Sequence, residues 1–504
     1  MNIAQNIERG RRIFPRKTAL TFECQYFSYE QLDEMANRVA NGLQSLGIKK
    51  GDRVALYLPN LPEFVFTYFG ILKLGAVVVS INVMLRRDEV WYILNDSGSK
   101  AIITTENLRL NVPDRDLVEL QSVLLVESSN VSGLSLEELM VNASPIFQSV
   151  EMEPKDPATI VYTSGTTGFP KGAVLSHGNV VSNMHSQRYS CGMTANDKLL
   201  LYLPLFHCFG QNAILNSGLN AGATIILQRR FKPEQIVQAI AQEGATMFFG
   251  VPTVFAKLLE ANLNELDWRS VRYYFSAAAN LPIEIVRRWE QKFGRPIYQG
   301  YGLTETSPCA SYNHPWKYKT GSIGMPIDNV EMKVVDEDDL EVPIGEWGEI
   351  IIRGPNVMLG YWKKPEETAK AIKNGWFHTG DIGYMDEDGD FYIVDRLKDM
   401  INVCGFKVYP SEVERVFYQH PAVAEVAVYG VADGIKGEVI YANVRLLAGE
   451  LVTIDELMDF CRERMANYKV PQVINLVDSL PKNATGKILK TVLREEAIME
   501  KKQL

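Results

Sequence analysis

Ten consecutive residues, Thr163-Ser164-Gly165-Thr166-Thr167-Gly168-Phe169-Pro170-Lys171-Gly172, concentrate four hydroxyls, three glycines and one lysine. The apolar pair Ile160-Val161 leads in and Ala173-Val174-Leu175 leads out, so the stretch reads as a polar hairpin loop between two short strands. Glycines let backbone N–H groups approach a ligand closely. The hydroxyls can donate to oxyanions, and Lys171 adds a point charge. That chemistry suits a polyphosphate. Flexible linkers share this composition, and most Gly-rich loops bind nothing. Spacing excludes two familiar phosphate loops: Pro170 stands five residues after Gly165 with no closing Gly-Lys-Ser/Thr, and no G-x-G-x-x-G turn is present here.

Five more strings carry reactive side chains. In Tyr301-Gly302-Leu303-Thr304-Glu305-Thr306 an aromatic face could stack on a purine, and a carboxylate is a hard oxygen ligand suited to Mg²⁺. Phe377-His378-Thr379-Gly380-Asp381 ends on a carboxylate that could accept from two vicinal hydroxyls, although an isolated Gly-Asp is more often a turn. Asp395-Arg396-Leu397-Lys398-Asp399 would pass alone as a solvated charge run, and Lys487 in Pro481-Lys482-Asn483-Ala484-Thr485-Gly486-Lys487 as a surface lysine. Leu203–Gly210 carries His207, one of only six histidines; a histidine among apolar residues is usually a satisfied core group.

The ten-residue loop resembles the phosphate loop of the adenylate-forming superfamily, which includes acyl-CoA synthetases, peptide-synthetase adenylation domains and firefly luciferase. The other strings follow in that superfamily's order and at similar intervals, so the resemblance spans nearly the whole chain. It implies ATP- and AMP-binding roles for Thr163, Ser164, Gly165, Thr166, Thr167, Gly168, Lys171, Ala277, Ala278, Tyr301, Asp381 and Arg396. It implies Mg²⁺ on Glu305, AMP phosphate on Thr304, a gate at His207 and an adenylation lysine at Lys487. Lys398 matches the hinge on which the small domain turns. Cys404 and Gly405 match the turn lining the pantetheine channel, with Cys404 where relatives usually carry serine or glycine. The acyl pocket falls near His207, Phe249, Val251, Ala277, Gly302 and Leu303. None of these offers an arginine for a second carboxylate or an acid for an amine, so an uncharged fatty or aryl carboxylic acid is expected, and small Gly302 and Ala277 tilt the choice towards a fatty-acid tunnel. No acid follows His207 until Glu234, which argues against an amino-acid substrate.

The implied enzyme is an AMP-forming acyl-CoA synthetase using ATP, Mg²⁺ and CoA. Three alternatives stand beside it: a fatty acyl-AMP ligase loading an acyl carrier protein, a luciferase-like oxidation, and an inactive nucleotide sensor. Residues 320–350 lack the insertion usual in the first, and intact Glu305 and Lys487 speak against the last.

The elements that must position these groups read as α/β. A capping box, Ser28 with Gln31, opens a helix with an apolar stripe from Leu32 to Leu46. Helix then strand repeats at 62–73 and 76–81, and at 88–95 and 101–104, the pattern of a parallel sheet. Phe64 to Met84 is largely apolar, but central Lys73 favours a buried helix over a membrane span. Strands are expected at Thr224–Leu227, Met247–Gly250 and Tyr273–Ser276, with helices at 233–243 and 282–293. Residues 320–395 alternate in short runs between Gly, Pro and Asp turns, a β-rich subdomain. The expected organisation is a large domain over 1–397 and a small, mobile α+β domain over 398–504, where Ser411 and Glu414 suggest a second capping box. Net charge −9 without a basic block argues against a nucleic-acid surface and does not favour anionic membranes. Six scattered cysteines, none in CxxC, indicate no zinc ribbon and a reducing, cytoplasmic setting. No secretory signal or transmembrane segment is read.

Overall fold

The computed structural model describes residues 1–114, 116–127, 134–163, 170–261, 268–433 and 437–503. Two sheets dominate the larger part of the described residues. The nine-stranded sheet runs, edge to edge, Met325–Pro326, Cys309–Tyr312, Ile297–Gly302, Tyr273–Ser276, Met247–Gly250, Lys198–Leu201, Thr224–Leu227, Thr18–Phe22 and Gln25–Ser28. Its six inner strands, from Ile297–Gly302 to Thr18–Phe22, are parallel. The eight-stranded sheet is likewise parallel from Pro157–Thr163 to Leu134–Ser135.

Parallel sheets need cover on both faces, and the sequence supplies it. In the eight-stranded sheet Val54, Leu56 and Val78 point into the main core, while Ala55, Tyr57, Val77 and Val79 meet the helix Arg87–Ser97 on the other side. The helices Tyr29–Ser45 and Pro62–Lys73 pack together and against strands of both sheets, joining the layers. Ser28 caps the first of these with its capping box formed. Pro62–Lys73 is apolar all round because it is buried all round; Gly70 lets it approach Val39 so closely that a Cβ would lie 2.5 Å from Val39 Cγ1. Lys73 ends that helix fully buried, neutralised by Glu8 at 2.8 Å and Asp33 at 2.7 Å. No helix among the described residues is long and apolar enough to cross a membrane.

A five-stranded sheet between Glu331 and Arg396 matches the β-rich pattern. Beyond it the main core ends at Phe391 and a separate core begins at Ile401. The second core belongs to another five-stranded sheet, centred on the hairpin Val423–Asp433 and Gly437–Leu446. Alternation along Val423–Asp433 again covers both faces: Val426 and Val428 face the helices Pro410–Tyr418 and Ile454–Arg462, and Ala427, Tyr429 and Val431 face Lys490–Gln503.

Two local expectations fail. The helix at 233–243 is regular only over Pro233–Gln238 and widens into a π-helical turn over Ala239–Glu243. The Ser411/Glu414 capping box does not form. Tyr409 is the N-cap, the Ser411 hydroxyl donates to Val394 O, and Glu414 instead accepts from Val428 N at 2.9 Å. Long-range partners outcompete the local cap.

Candidate active site

Four neighbouring parallel strands, Lys198–Leu201, Met247–Gly250, Tyr273–Ser276 and Ile297–Gly302, end on one edge of the nine-stranded sheet. His207, Val251, Ala277 and Tyr301 sit in or just beyond those carboxyl ends, where open α/β sheets form their ligand crevice. His207 introduces a π-helical segment, Phe209–Asn216, a geometry common near functional sites. Its Nδ1 accepts from Phe209 N at 3.2 Å, which places the proton of the neutral ring on Nε2. Burial, with the nearby Lys487 charge adding to it, pulls His207 down to about 4, so the ring stays neutral near pH 7.

Ala278 follows Tyr273–Ser276 with φ +70° and an exposed side chain. A left-handed alanine costs strain, which clusters at ligand sites. Gly302 is fixed by packing: a Cβ there would lie 1.7 Å from Pro308 O. The absent side chain of Gly302 therefore faces backbone and opens no tunnel, contrary to the sequence argument. Phe249 is fully buried, its ring 6.2 Å from Tyr273 and 5.7 Å from Phe275. Val251 and Leu303 complete the apolar wall as packed core neighbours.

The Tyr301, Asp381 and Arg396 side chains form one polar cluster. Tyr301 Oη donates to Asp381 Oδ2 at 2.7 Å, and Arg396 Nε lies 3.0 Å from Asp381 Oδ1. Asp381 sits at a bulge in its strand: Thr379, Gly380 and Asp381 stand opposite the single residue Ile350 on one side, while Asp381 stays paired with Arg396 on the other. The looped backbone is satisfied from the facing strand. Glu349 Oε1 accepts from Gly380 N at 2.8 Å, its Oε2 pairs with His378 Nδ1 at 2.9 Å, and Thr379 Oγ1 donates to Ile350 O at 2.6 Å.

Thr304 and Glu305 occupy a short helical turn after Gly302, both buried. Glu305 Oε1 accepts from Tyr361 Oη at 2.9 Å. Burial raises the Glu305 pKa, with Tyr361 and Arg396 opposing. The Tyr361 ring lies under Lys171, 5.2 Å from Nζ to centroid, and Lys171 pairs with Glu367. Thr163 and Lys171 face each other where the strands Pro157–Thr163 and Lys171–Ser176 meet, the expected hairpin. Ser164, Gly165, Thr166, Thr167 and Gly168 lie outside the described residues.

Lys487 arrives from the second core. Its loop is folded on Asn483, whose Oδ1 accepts from Thr485 N at 3.0 Å and Lys487 N at 2.9 Å. Thr253 Oγ1 donates to Gly486 O at 3.2 Å, and Ala484 packs on the main core. Gly486 has φ +85°, and a Cβ would stand 2.9 Å from Thr253 Oγ1, so both conformation and contact demand glycine. Lys487 keeps much of its side chain open to the cleft, yet crowding by protein atoms and then the Arg396 cation pull its ammonium down to about 8. No carboxylate of the described residues pairs with it. Lys398, exposed in the turn Leu397–Asp399, is also lowered, by crowding and Arg396. Cys404 and Gly405 form the exposed two-residue turn of the hairpin Ile401–Val403 and Phe406–Val408.

The structure thus brings together His207, Tyr301, Glu305, Asp381, Arg396, Lys171 and Lys487, and holds Cys404 and Gly405 on a solvent-exposed turn. Sequence reading missed Tyr361, Glu367 and Glu349, which lie in no recognisable string; their only signal is spatial.

Fold and site define an α/β enzyme whose ligand crevice is closed by a lysine from a second, smaller core. The chain matches the AMP-binding enzyme family over residues 7–362 and the AMP-binding enzyme C-terminal domain over 412–487, and it belongs to that family. It is an AMP-forming acid–thiol ligase. A long-chain-fatty-acid–CoA ligase of Bacillus subtilis (strain 168) is 36% identical, covering 96% of this chain and 92% of that one. The anthranilate CoA ligase AuaEII, solved with anthranoyl-AMP, superposes with TM-score 0.92 at 30% identity, covering 99% and 97% of the two chains. ATP-bound MatB from Rhodopseudomonas palustris gives 0.90 at 32% identity over 98% and 99%, whereas apo MatB gives 0.78.

Proposed function

We propose that this chain condenses an uncharged, mainly apolar carboxylic acid with ATP to acyl-AMP and pyrophosphate, then transfers the acyl group to the CoA thiol with release of AMP. The observation that carries the reading is the convergence of Lys487 with Asp381, Arg396, Tyr301 and Glu305 at the strand ends. Transfer of the adenylyl group from pyrophosphate to the carboxylate oxygen needs positioning and charge neutralisation more than covalent help from the protein.

Asp381, backed by Tyr301 and Arg396, is placed to accept from the ribose hydroxyls. Ala277 and Ala278 border the adenine, and Tyr301 offers it an aromatic face. Thr304, Thr163, Lys171 and the loop from Ser164 to Gly168 supply the phosphate donors. Lys487, free of any carboxylate partner among the described residues, neutralises charge as the acid oxygen attacks the α-phosphorus. His207, neutral, closes the acyl pocket with Phe249, Val251, Ala277, Gly302 and Leu303.

Glu305 fits Mg²⁺. It is a buried carboxylate with Oε1 held by Tyr361, and no group of three acidic, His or Cys side chains among the described residues competes with it. A single carboxylate suits an ion that keeps waters and takes its remaining ligands from phosphates. Bound there, the ion would neutralise phosphate charge.

The second half-reaction needs another wall, which rotation of residues 398–504 about Lys398 would supply by bringing Cys404 and Gly405 to the site. The higher similarity to ATP-bound than to apo MatB supports reading the present arrangement as the adenylation one. For the acid we commit to a medium or long fatty acid. The support is the Bacillus subtilis relative, since the packing at Gly302 removes the tunnel argument.

The test is kcat/KM for octanoate, dodecanoate, benzoate, malonate and phenylalanine with ATP and CoA. Leaving a charge unpaired in an apolar pocket is costly, so malonate and phenylalanine are expected to be poor. Among apolar acids discrimination should be about 1–3 kcal/mol per methylene. Preference for malonate or phenylalanine overturns the pocket; preference for benzoate moves the substrate to aryl acids. Acyl-AMP formation without CoA-dependent AMP release would instead indicate a carrier-protein acceptor.

A further inference from the structure

Lys171 carries the only cation of the candidate phosphate loop, and it is already engaged. Its ammonium pairs with the Glu367 carboxylate, and the two side chains are only 15% and 30% exposed. Glu367 is delivered from a fixed element. It lies on the helix Pro365–Ala371, which follows the short strand Gly360–Tyr361, and that strand pairs with Lys171–Ser176 through Tyr361 and Ala173. Thr368 locks helix to strand: its hydroxyl accepts from Tyr361 N at 2.9 Å and donates to Lys364 O at 2.9 Å. The second oxygen of Glu367 accepts from Lys370 at 2.9 Å. Hydrogen bonds from Lys171 and then Lys370 hold the carboxyl down to about 2, so it is ionised at any working pH. Beside it, Tyr361 touches Lys171 with its ring face and Glu305 with its hydroxyl, so the pair borders the catalytic cluster.

An ionised carboxylate is the wrong charge to hold beside a polyphosphate. A phosphate that reaches for Lys171 must displace Glu367 or share the lysine with it. We infer that Glu367 is an internal competitor of the polyphosphate at Lys171, holding the lysine when nucleotide is absent and weakening ATP and pyrophosphate alike. The inference rests on the reading of Lys171 as a phosphate contact made above. Glu367 acts through Lys171 and touches no reacting atom. Its benefit falls on turnover: when pyrophosphate leaves, the carboxylate re-pairs the lysine and opposes rebinding of the product.

The test is calorimetric titration with MgATP and with magnesium pyrophosphate, without carboxylic acid, on E367Q, K171Q and the double variant. Glu367→Gln is expected to bind both ligands about two- to fivefold tighter, the scale of one partly exposed ion pair. Lys171→Gln should bind both more weakly, and the double variant should match K171Q, because without the lysine there is nothing to compete for. A part that merely supported structure would give weaker binding on substitution. If E367Q binds equally or more weakly while K171Q is impaired, the competitor role is wrong and the phosphate reading stands. If K171Q leaves both affinities unchanged, the phosphate reading falls and the inference with it.

Discussion

Lys487 is chemically unlike an ordinary surface lysine, because it carries its charge into a site that already holds Arg396 and Lys398. Two consequences follow for the adenylation half-reaction. Lys487→Ala is expected to lower acyl-AMP formation by several orders of magnitude while sparing thioester formation from preformed acyl-AMP, measured as separate single-turnover rates; equal loss in both would refute a lysine that serves the first step alone. With the free ammonium lowered to about 8, kcat/KM for adenylation should fall as pH rises through that value, since the neutral amine cannot offset phosphate charge. Thioester formation from acyl-AMP should not share that limb. The residue-scale partnerships around this lysine were only partly legible. Asp381, Arg396, Tyr301 and Glu305 each stand in a recognisable string. Tyr361, which holds Glu305, and Glu367, which holds Lys171, stand in none, because a contact across separate elements leaves no local spacing to read.

At the scale of elements, periodicity carried far. The strands at Thr224–Leu227, Met247–Gly250 and Tyr273–Ser276 stand at the expected residues, and Pro62–Lys73 is the buried helix that Lys73 argued for. What failed did so where a distant partner overrode a local rule: Ser411 reaches Val394, and Gly302 is small for the sake of the Pro308 backbone. The turn Leu397–Asp399 carries the proposed hinge, in the gap where the main core stops at Phe391 and the next begins at Ile401. Proline fixes φ near −65°, compatible with such a turn and resistant to rotation out of it. Lys398→Pro should therefore leave adenylation near wild type and slow thioester formation at least about tenfold, a loss of about 1.4 kcal/mol in transition-state stabilisation. An unchanged single-turnover thioesterification rate would remove the hinge from this turn.

At the scale of the whole molecule, contacts between the two parts mix polar and apolar: Arg445 of the small part reaches Glu260 at 2.9 Å, Thr253 meets the Gly486 carbonyl, Ala484 packs on the main core, and the Trp347 and Tyr409 rings meet edge-on at 5.6 Å. Such contacts can part and re-form, as a two-step reaction requires. The larger part is tied differently, and its stability should depend on pH. His177 is fully buried, accepts from Ile3 N at 3.1 Å on Nδ1, and is pulled down to about 4 by burial and then by the terminal ammonium. Unfolded, it would titrate near 6.5. Between those values the unfolded chain binds the extra proton, so stability is lost as pH falls from about 6.5 towards 4, by about 3 kcal/mol in all. The apparent Tm should drop across that window, and His177→Gln should flatten part of the slope; an identical slope in the variant would acquit this histidine. A last consequence concerns observation. Of six cysteines four are buried, and the two exposed ones, Cys24 and Cys404, fall one on each side of the turn at Lys398. Each occupies a tight turn, with φ +68° and +51°. The unmodified sequence therefore already carries one exposed thiol on each side of the proposed hinge, so a donor and an acceptor dye attached there would convert a rotation about Lys398 on ATP binding into a change of fluorescence transfer efficiency, without engineering a single residue.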